Sequence, residues 1–160
     1  MLRASFLACV LLTGCAGYQG RANDAADLYR AGRFDEAAAA FRRLSEGRER
    51  FLAHAEAGTA EMTAASWDDA LRDFRRAADE VRFVEDRMLL LRPPTGLVVQ
   101  TGETGEAFER IQLHACMALC YLAQGNVDSA LLRLDRARRL LEREERRLST
   151  RSPAGGVTLF

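Results

Sequence analysis

With 160 residues the chain has room for one small domain, and its 48% hydrophobic and 29% charged residues exclude disorder along the whole length. The 23 basic and 23 acidic side chains cancel, so bulk charge gives no support to a general nucleic-acid-binding surface. The four cysteines are unlike one another: Cys9 lies inside an apolar run, Cys15 closes that run, and Cys116 and Cys120 stand one helical turn apart.

Residues 1–14 read as a secretory targeting segment. Arg3 supplies the positive start, and Phe6 to Leu12 form an apolar stretch too short to span a bilayer. Its end, Leu12-Thr13-Gly14-Cys15, resembles the lipobox of bacterial lipoproteins. The resemblance implies cleavage before Cys15 and acylation of that residue, and several acyl chains hold a protein at a membrane where one alone is marginal. Ala16 follows in place of the Asp associated with inner-membrane retention, which points to the outer membrane, on its periplasmic side. Cys15 and the small, polar residues up to Asn23 read as a brief tether.

From Asp24 to Leu148 the pattern is helical. Asp24–Arg30 is a short leading helix, Asp35–Leu44 an Ala-rich second one, and Ser45–Glu49 a polar corner. Phe51–Ala64 and Trp67–Phe83 follow, with Ser66 as a cap and Asp68 and Asp69 placed well in the first turn. From Phe108, the residues Ile111, Ala115, Ala118, Leu119 and Leu122 recur at three- and four-residue spacing, which predicts one buried helical face. Gly125 then ends the helix by taking the left-handed conformation, and Asn126 or Asp128 caps the next one. That helix repeats the face with Ala130, Leu131, Leu134, Ala137 and Leu141.

The corners and second helices align. The chain reads Gly32-x-Phe34-x-x-Ala37-x-x-x-Phe41-x-x-Leu44, then Ala65-x-Trp67-x-x-Ala70-x-x-x-Phe74-x-x-Ala77, then Gly125-x-Val127-x-x-Ala130-x-x-x-Leu134-x-x-Ala137. This order of small, bulky, Ala, bulky and small positions resembles the tetratricopeptide repeat (TPR). In that family the Ala lets two helices approach and the large residue fills the groove they leave. The fold expected is all-α: a short TPR-like solenoid of about three helical hairpins, with an irregular insertion between the second and third. The repeat-packing residues are Phe34, Ala37, Phe41, Trp67, Ala70, Phe74, Tyr121, Gly125, Ala130, Leu134 and Ala137. From Phe34 to Trp67 is 33 positions and from Trp67 to Val127 is 60, so about 26 residues are inserted.

The insertion covers about 82–105. Val84–Leu91 extends the preceding helix until Pro93-Pro94 forbids continuation, Leu97-Val98-Val99 is extended, and residues 101–105 are turn-rich. Next, Gly105-Glu106-Ala107-Phe108-Glu109 and Ala118-Leu119-Cys120-Tyr121-Leu122-Ala123-Gln124-Gly125 resemble a motif in a group of longer, uncharacterised bacterial lipoproteins. That likeness covers Thr101–Leu140. Between Arg133 and Arg151 eight Arg face four acids, with Glu142 and Arg146 spaced for a helical ion pair. Residues 149–160 carry no helical signal.

His54 and His114, the only histidines, share one repeat position, with Gly58 and Ala118 aligned four residues later. They are candidate partner-contacting residues, together with Glu106 and Glu109 near a helix start. His114-x-Cys116-x-x-x-Cys120 resembles no complete metal site, because the histidine points to the far side of the helix from the cysteines and a fourth ligand is missing. No phosphate loop, His-Glu-x-x-His string or nucleophile elbow occurs, so neither an enzyme nor a cofactor is expected. The leading expectation is a lipid-anchored adaptor that binds a protein or peptide partner in envelope assembly or maintenance. The alternatives are a metal- or redox-active lipoprotein using His54, His114, Cys116 and Cys120, and a non-binding, shortened remnant of the longer family.

Overall fold

The computed structural model describes residues 18–46, 49–90 and 107–151. Among these residues the protein is all-helical: α1 Tyr18–Arg30, α2 Phe34–Arg43, α3 Arg50–Thr63, α4 Trp67–Leu90, α5 Ala107–Ala123 and α6 Val127–Arg151, with a 3₁₀ turn at Leu44–Glu46. The chain forms two compact units, residues 1–80 and 81–160.

The corners explain where the helices stop. Gly32, Ala65 and Gly125 have φ of +74°, +60° and +73°, and they are the three aligned small positions of the sequence pattern. Each corner closes with the same two bonds. Arg33 N–H reaches Leu28 O and Gly32 N–H reaches Tyr29 O; Ser66 reaches Glu61 and Ala65 reaches Met62; Asn126 reaches Tyr121 and Gly125 reaches Leu122. This six-to-one and five-to-two pair is the Schellman arrangement, which satisfies helix-end carbonyls only if the turning residue is left-handed. Glycine does this freely, whereas Ala65 is strained by its Cβ. At the third corner Asn126 is the cap, its Oδ1 accepting the Ser129 N–H at 3.1 Å.

In the first unit the core is built mainly of alanine. Ala22, Ala25, Ala37, Ala38, Phe41, Ala57 and Ala60 form one buried cluster across α1, α2 and α3, with Leu28, Tyr29 and Leu44 packed against it. Side chains this small let helix axes approach to the short end of the usual ~8–10 Å range. Acidic Asp35 and Glu36 open α2 and basic Arg42 and Arg43 close it, matching the helix dipole at both ends. At Gly58 on α3 the Phe74 ring of α4 takes the space of a Cβ, whose ideal position lies 2.7 Å from ring atoms Cδ1 and Cε1. Ala70, Phe74 and Ala77 are all buried. Phe34 and Trp67 are half-buried, and the Phe34 ring meets Tyr29 edge-on with centroids 5.3 Å apart. The Tyr29 hydroxyl and Thr63 Oγ1 lie 2.9 Å apart, tying the end of α1 to the end of α3.

Several boundaries and faces differ from expectation. Helix α1 begins at Tyr18, so most of the expected tether up to Asn23 is helical. Helix α4 runs on to Leu90, as the extension expected through Val84–Leu91 has it, and α6 runs to Arg151, past the expected helix end at Leu148. The remaining features of the insertion (Pro93-Pro94, Leu97–Val99 and residues 101–105) lie outside the described residues, as do the signal segment and Cys15. On α5 the buried residues are Leu113, His114, Met117, Ala118, Cys120 and Tyr121. Leu119 and Leu122 are exposed instead. Apolar residues surround this helix, so spacing alone fits more than one phase; tertiary packing selects the phase that brings Leu113, Met117 and Tyr121 inward. On α6 only Ala130 and Ala137 of the expected face are buried, and Leu131, Leu134 and Leu141 are exposed.

The corner strain and the Gly58 contact give opposite expectations for two substitutions in the first unit. Ala65→Gly relieves a left-handed alanine and, after the added unfolded-state entropy, stabilises by about 0.5–1 kcal/mol. Gly58→Ala drives a methyl into a buried ring and costs about 1–3 kcal/mol. Urea unfolding of the two variants beside the parent protein measures both.

Candidate functional site

The sequence pattern puts charge where the helices should be apolar. Asp73 lies within the stripe Ala70, Phe74 and Ala77, and Glu61 follows Ala57, Gly58 and Ala60 on α3. Both carboxylates are buried, Asp73 at 1% and Glu61 at 4% exposure. A buried charge persists only when paired and hydrogen-bonded. The pairing comes from Arg42 on α2, whose Nη1 donates to Glu61 Oε1 and, at 2.8 Å, to Asp73 Oδ2. His54 Nδ1 on α3 lies 2.9 Å from Asp73 Oδ1. Arg76 adds a long contact to the same oxygen at 3.5 Å. One cluster therefore ties α2, α3 and α4 together through their side chains.

The electrostatics divide the two acids. Burial alone would raise Asp73, but hydrogen bonds from His54 and Arg42 outweigh it and hold its carboxyl at about 2. An ionised Asp73 can only accept, so the His54 Nδ1 carries the proton it donates. For Glu61 burial prevails: its carboxyl titrates above the ordinary value despite Arg42, and the charge of Asp73 adds to the rise. Its Oε2 is buried without a partner. The Arg42 guanidinium, partly desolvated, is nevertheless held charged by its two carboxylate bonds.

His54 thus faces a carboxylate, the arrangement that orients an imidazole in acyl-transfer sites. Here, however, Asp73 is shared with Arg42, and His54 is itself largely covered. The chemistry of this cluster is that of a lock between helices.

In the second unit His114 is buried and its Nδ1 has no partner. Burial, followed by the nearby positive charges of Arg133, Arg136 and Arg110, lowers its imidazole to about 4, so it is neutral at pH 7. Cys116 and Cys120 are free thiols. Burial raises both, Cys120 to about 11, which suits inert packing groups rather than nucleophiles or redox centres. Among the described residues no group of three or more His, Cys, Asp or Glu is arranged to hold a metal ion. Glu109 stands in the first turn of α5; Glu106 lies outside the described residues.

The surface of α6 carries the remaining candidates. Arg136, Arg139, Arg143 and Arg146 line a shallow hollow with Glu142. Glu142 bonds to Arg138 at 2.8 Å, not to the expected Arg146, and Arg138 also reaches Asp135. Arg42, Glu61 and Asp73 were not among the expected site residues. Their legible signal was a charge standing inside an apolar stripe. No protein-family description, curated protein or solved structure matches this chain.

The cluster has a direct mutational test. Asp73→Asn removes the charge and one of the two oxygens that accept from Arg42 and His54, leaves Arg42 underpaired and costs about 3 kcal/mol, whereas Glu61→Gln keeps an acceptor for Arg42, adds a donor and is neutral or stabilising at pH 7. The folded carboxyl of Asp73 is depressed, so its contribution, on the order of 2 kcal/mol, is complete above about pH 4 and is lost as pH falls towards about 2. Urea midpoints of parent and Asp73→Asn between pH 7 and pH 2 should therefore converge at the acid end.

Proposed function

We propose that the protein is a lipid-anchored adaptor at the periplasmic face of the outer membrane, built as a short TPR-like solenoid that binds a protein partner in envelope assembly or maintenance. The observation that carries the repeat reading is the recurrence of one corner: Gly32, Ala65 and Gly125, aligned in sequence, share a left-handed backbone and the same pair of closing bonds. Repeated helical hairpins expose long faces suited to holding peptides and proteins. Support for the anchor is the lipobox-like Leu12-Thr13-Gly14-Cys15 after an apolar run. No described helix is long and apolar enough to cross a membrane, so attachment is assigned to acyl chains on Cys15.

The metal- or redox-active reading has less support. His54 is committed to Asp73, and the Cys116 and Cys120 thiols are pushed away from the reactive thiolate.

The adaptor reading is checked in cells producing the full chain. Incorporated labelled palmitate is expected on the wild-type protein and absent from Cys15→Ser. Cross-linking followed by capture is expected to recover one protein from the wild type in stoichiometric amount. An unlabelled wild-type chain removes the anchor, and a capture no richer than the mock control removes the adaptor.

A further inference from the structure

The outer flank of α6 carries a regular apolar line. Val127, Leu134, Leu141 and Leu148 stand seven residues apart, with Leu131 between the first two. All five are exposed, between 44% and 59%. A seven-residue apolar repeat over four positions is the pattern of a helix that pairs with another helix, because it keeps one seam facing the partner as the two wind together. The line runs about 32 Å at 1.5 Å per residue, long enough for a two-helix seam.

The second row of the seam identifies the partner. It continues from Leu131 through Arg138 and Glu145, each seven further on. A lipid surface is a poor occupant of a seam interrupted by opposite charges. In a parallel self-pairing Arg138 meets Arg138 and Glu145 meets Glu145. In an antiparallel one whose twofold axis passes beside Leu141 and Glu142, Arg138 of each copy lies alongside Glu145 of the other, giving two unlike pairs, and Leu134 of each copy meets Leu148 of the other. We infer that α6 is a self-association surface, on which a second copy of this chain docks its own α6 antiparallel through Leu134, Leu141 and Leu148. This interface requires neither the anchor nor the adaptor's partner.

Sedimentation equilibrium of the purified full chain in density-matched detergent reads the association. A reversible dimer is expected, reduced to monomer by Leu134→Glu with Leu141→Glu. Both side chains are exposed, so the helical circular dichroism should remain that of the parent. Glu145→Arg should weaken the dimer roughly tenfold, through two symmetric like-charge contacts. Adding Arg138→Glu to Glu145→Arg should restore it. A chain that is monomeric at every concentration, including one that instead pellets with anionic vesicles, overturns the proposal. So does a dimer indifferent to the two leucine substitutions. A dimer weakened by Glu145→Arg and not rescued by Arg138→Glu overturns the antiparallel pairing.

Discussion

Everything regular in this protein depends on a backbone turn that most side chains resist. A helix ending in the Schellman arrangement places its turning residue at positive φ, and only then can the next two N–H groups fold back onto the last free carbonyls. At Gly32 and Gly125 the turn is unstrained. At Ala65 it is held against an unfavourable Cβ, so the tertiary contacts of α3 and α4 must supply what the local sequence withholds. Those contacts are present. The Phe74 ring is seated against Gly58, and the Asp73 carboxylate is bound by His54 and Arg42.

The buried charges complement a core of alanine. Alanines allow close helix approach but bury little apolar area each, and they fit one another in several registers. A directional cluster removes that ambiguity, because Arg42 meets Glu61 and Asp73 together at one rotation and height of α2. Its net stabilisation is smaller than its geometry suggests, since two carboxylates and a guanidinium lose water together. The raised carboxyl of Glu61 and its unbonded Oε2 are the residue of that cost. Specificity of register is the better account of why the charges are tolerated there.

What was legible in the sequence followed from local rules. The helix pairs, the left-handed corner at Gly125, the small corner position at Gly32 and a cap at Asn126 or Asp128 could be read because each is decided within a few residues. The start of α1 at Tyr18 was less visible, since residues 18–23 carry no strong start signal of their own, whereas the run before Pro93-Pro94 announces the extension of α4 to Leu90. The buried phase of α5 was not legible. Leu119 and Leu122 match the helical period as well as Leu113 and Met117 do, and only tertiary packing distinguishes them. The lock was not legible from periodicity, which carries no information on which distant charges meet, although Asp73 and Glu61 interrupt runs of small buried residues.

One repeat position shows how far a shared motif constrains its surroundings. Phe41, Phe74 and Leu134 are aligned, yet the first two are buried and the third is 44% exposed. Phe41 joins the cluster that α3 completes, and Phe74 enters the space that Gly58 leaves open. The position aligned with Gly58 on α5 is Ala118, which carries a Cβ, and among the described residues no helix follows α6. The motif thus specifies a large residue on the second helix of each pair, and burial of that residue depends on the space its neighbouring helices leave. In α6 the requirement is unmet for Leu134, and Val127 at the bulky corner position is exposed as well. Two members of the exposed line on this helix are therefore repeat positions that the described residues leave uncovered.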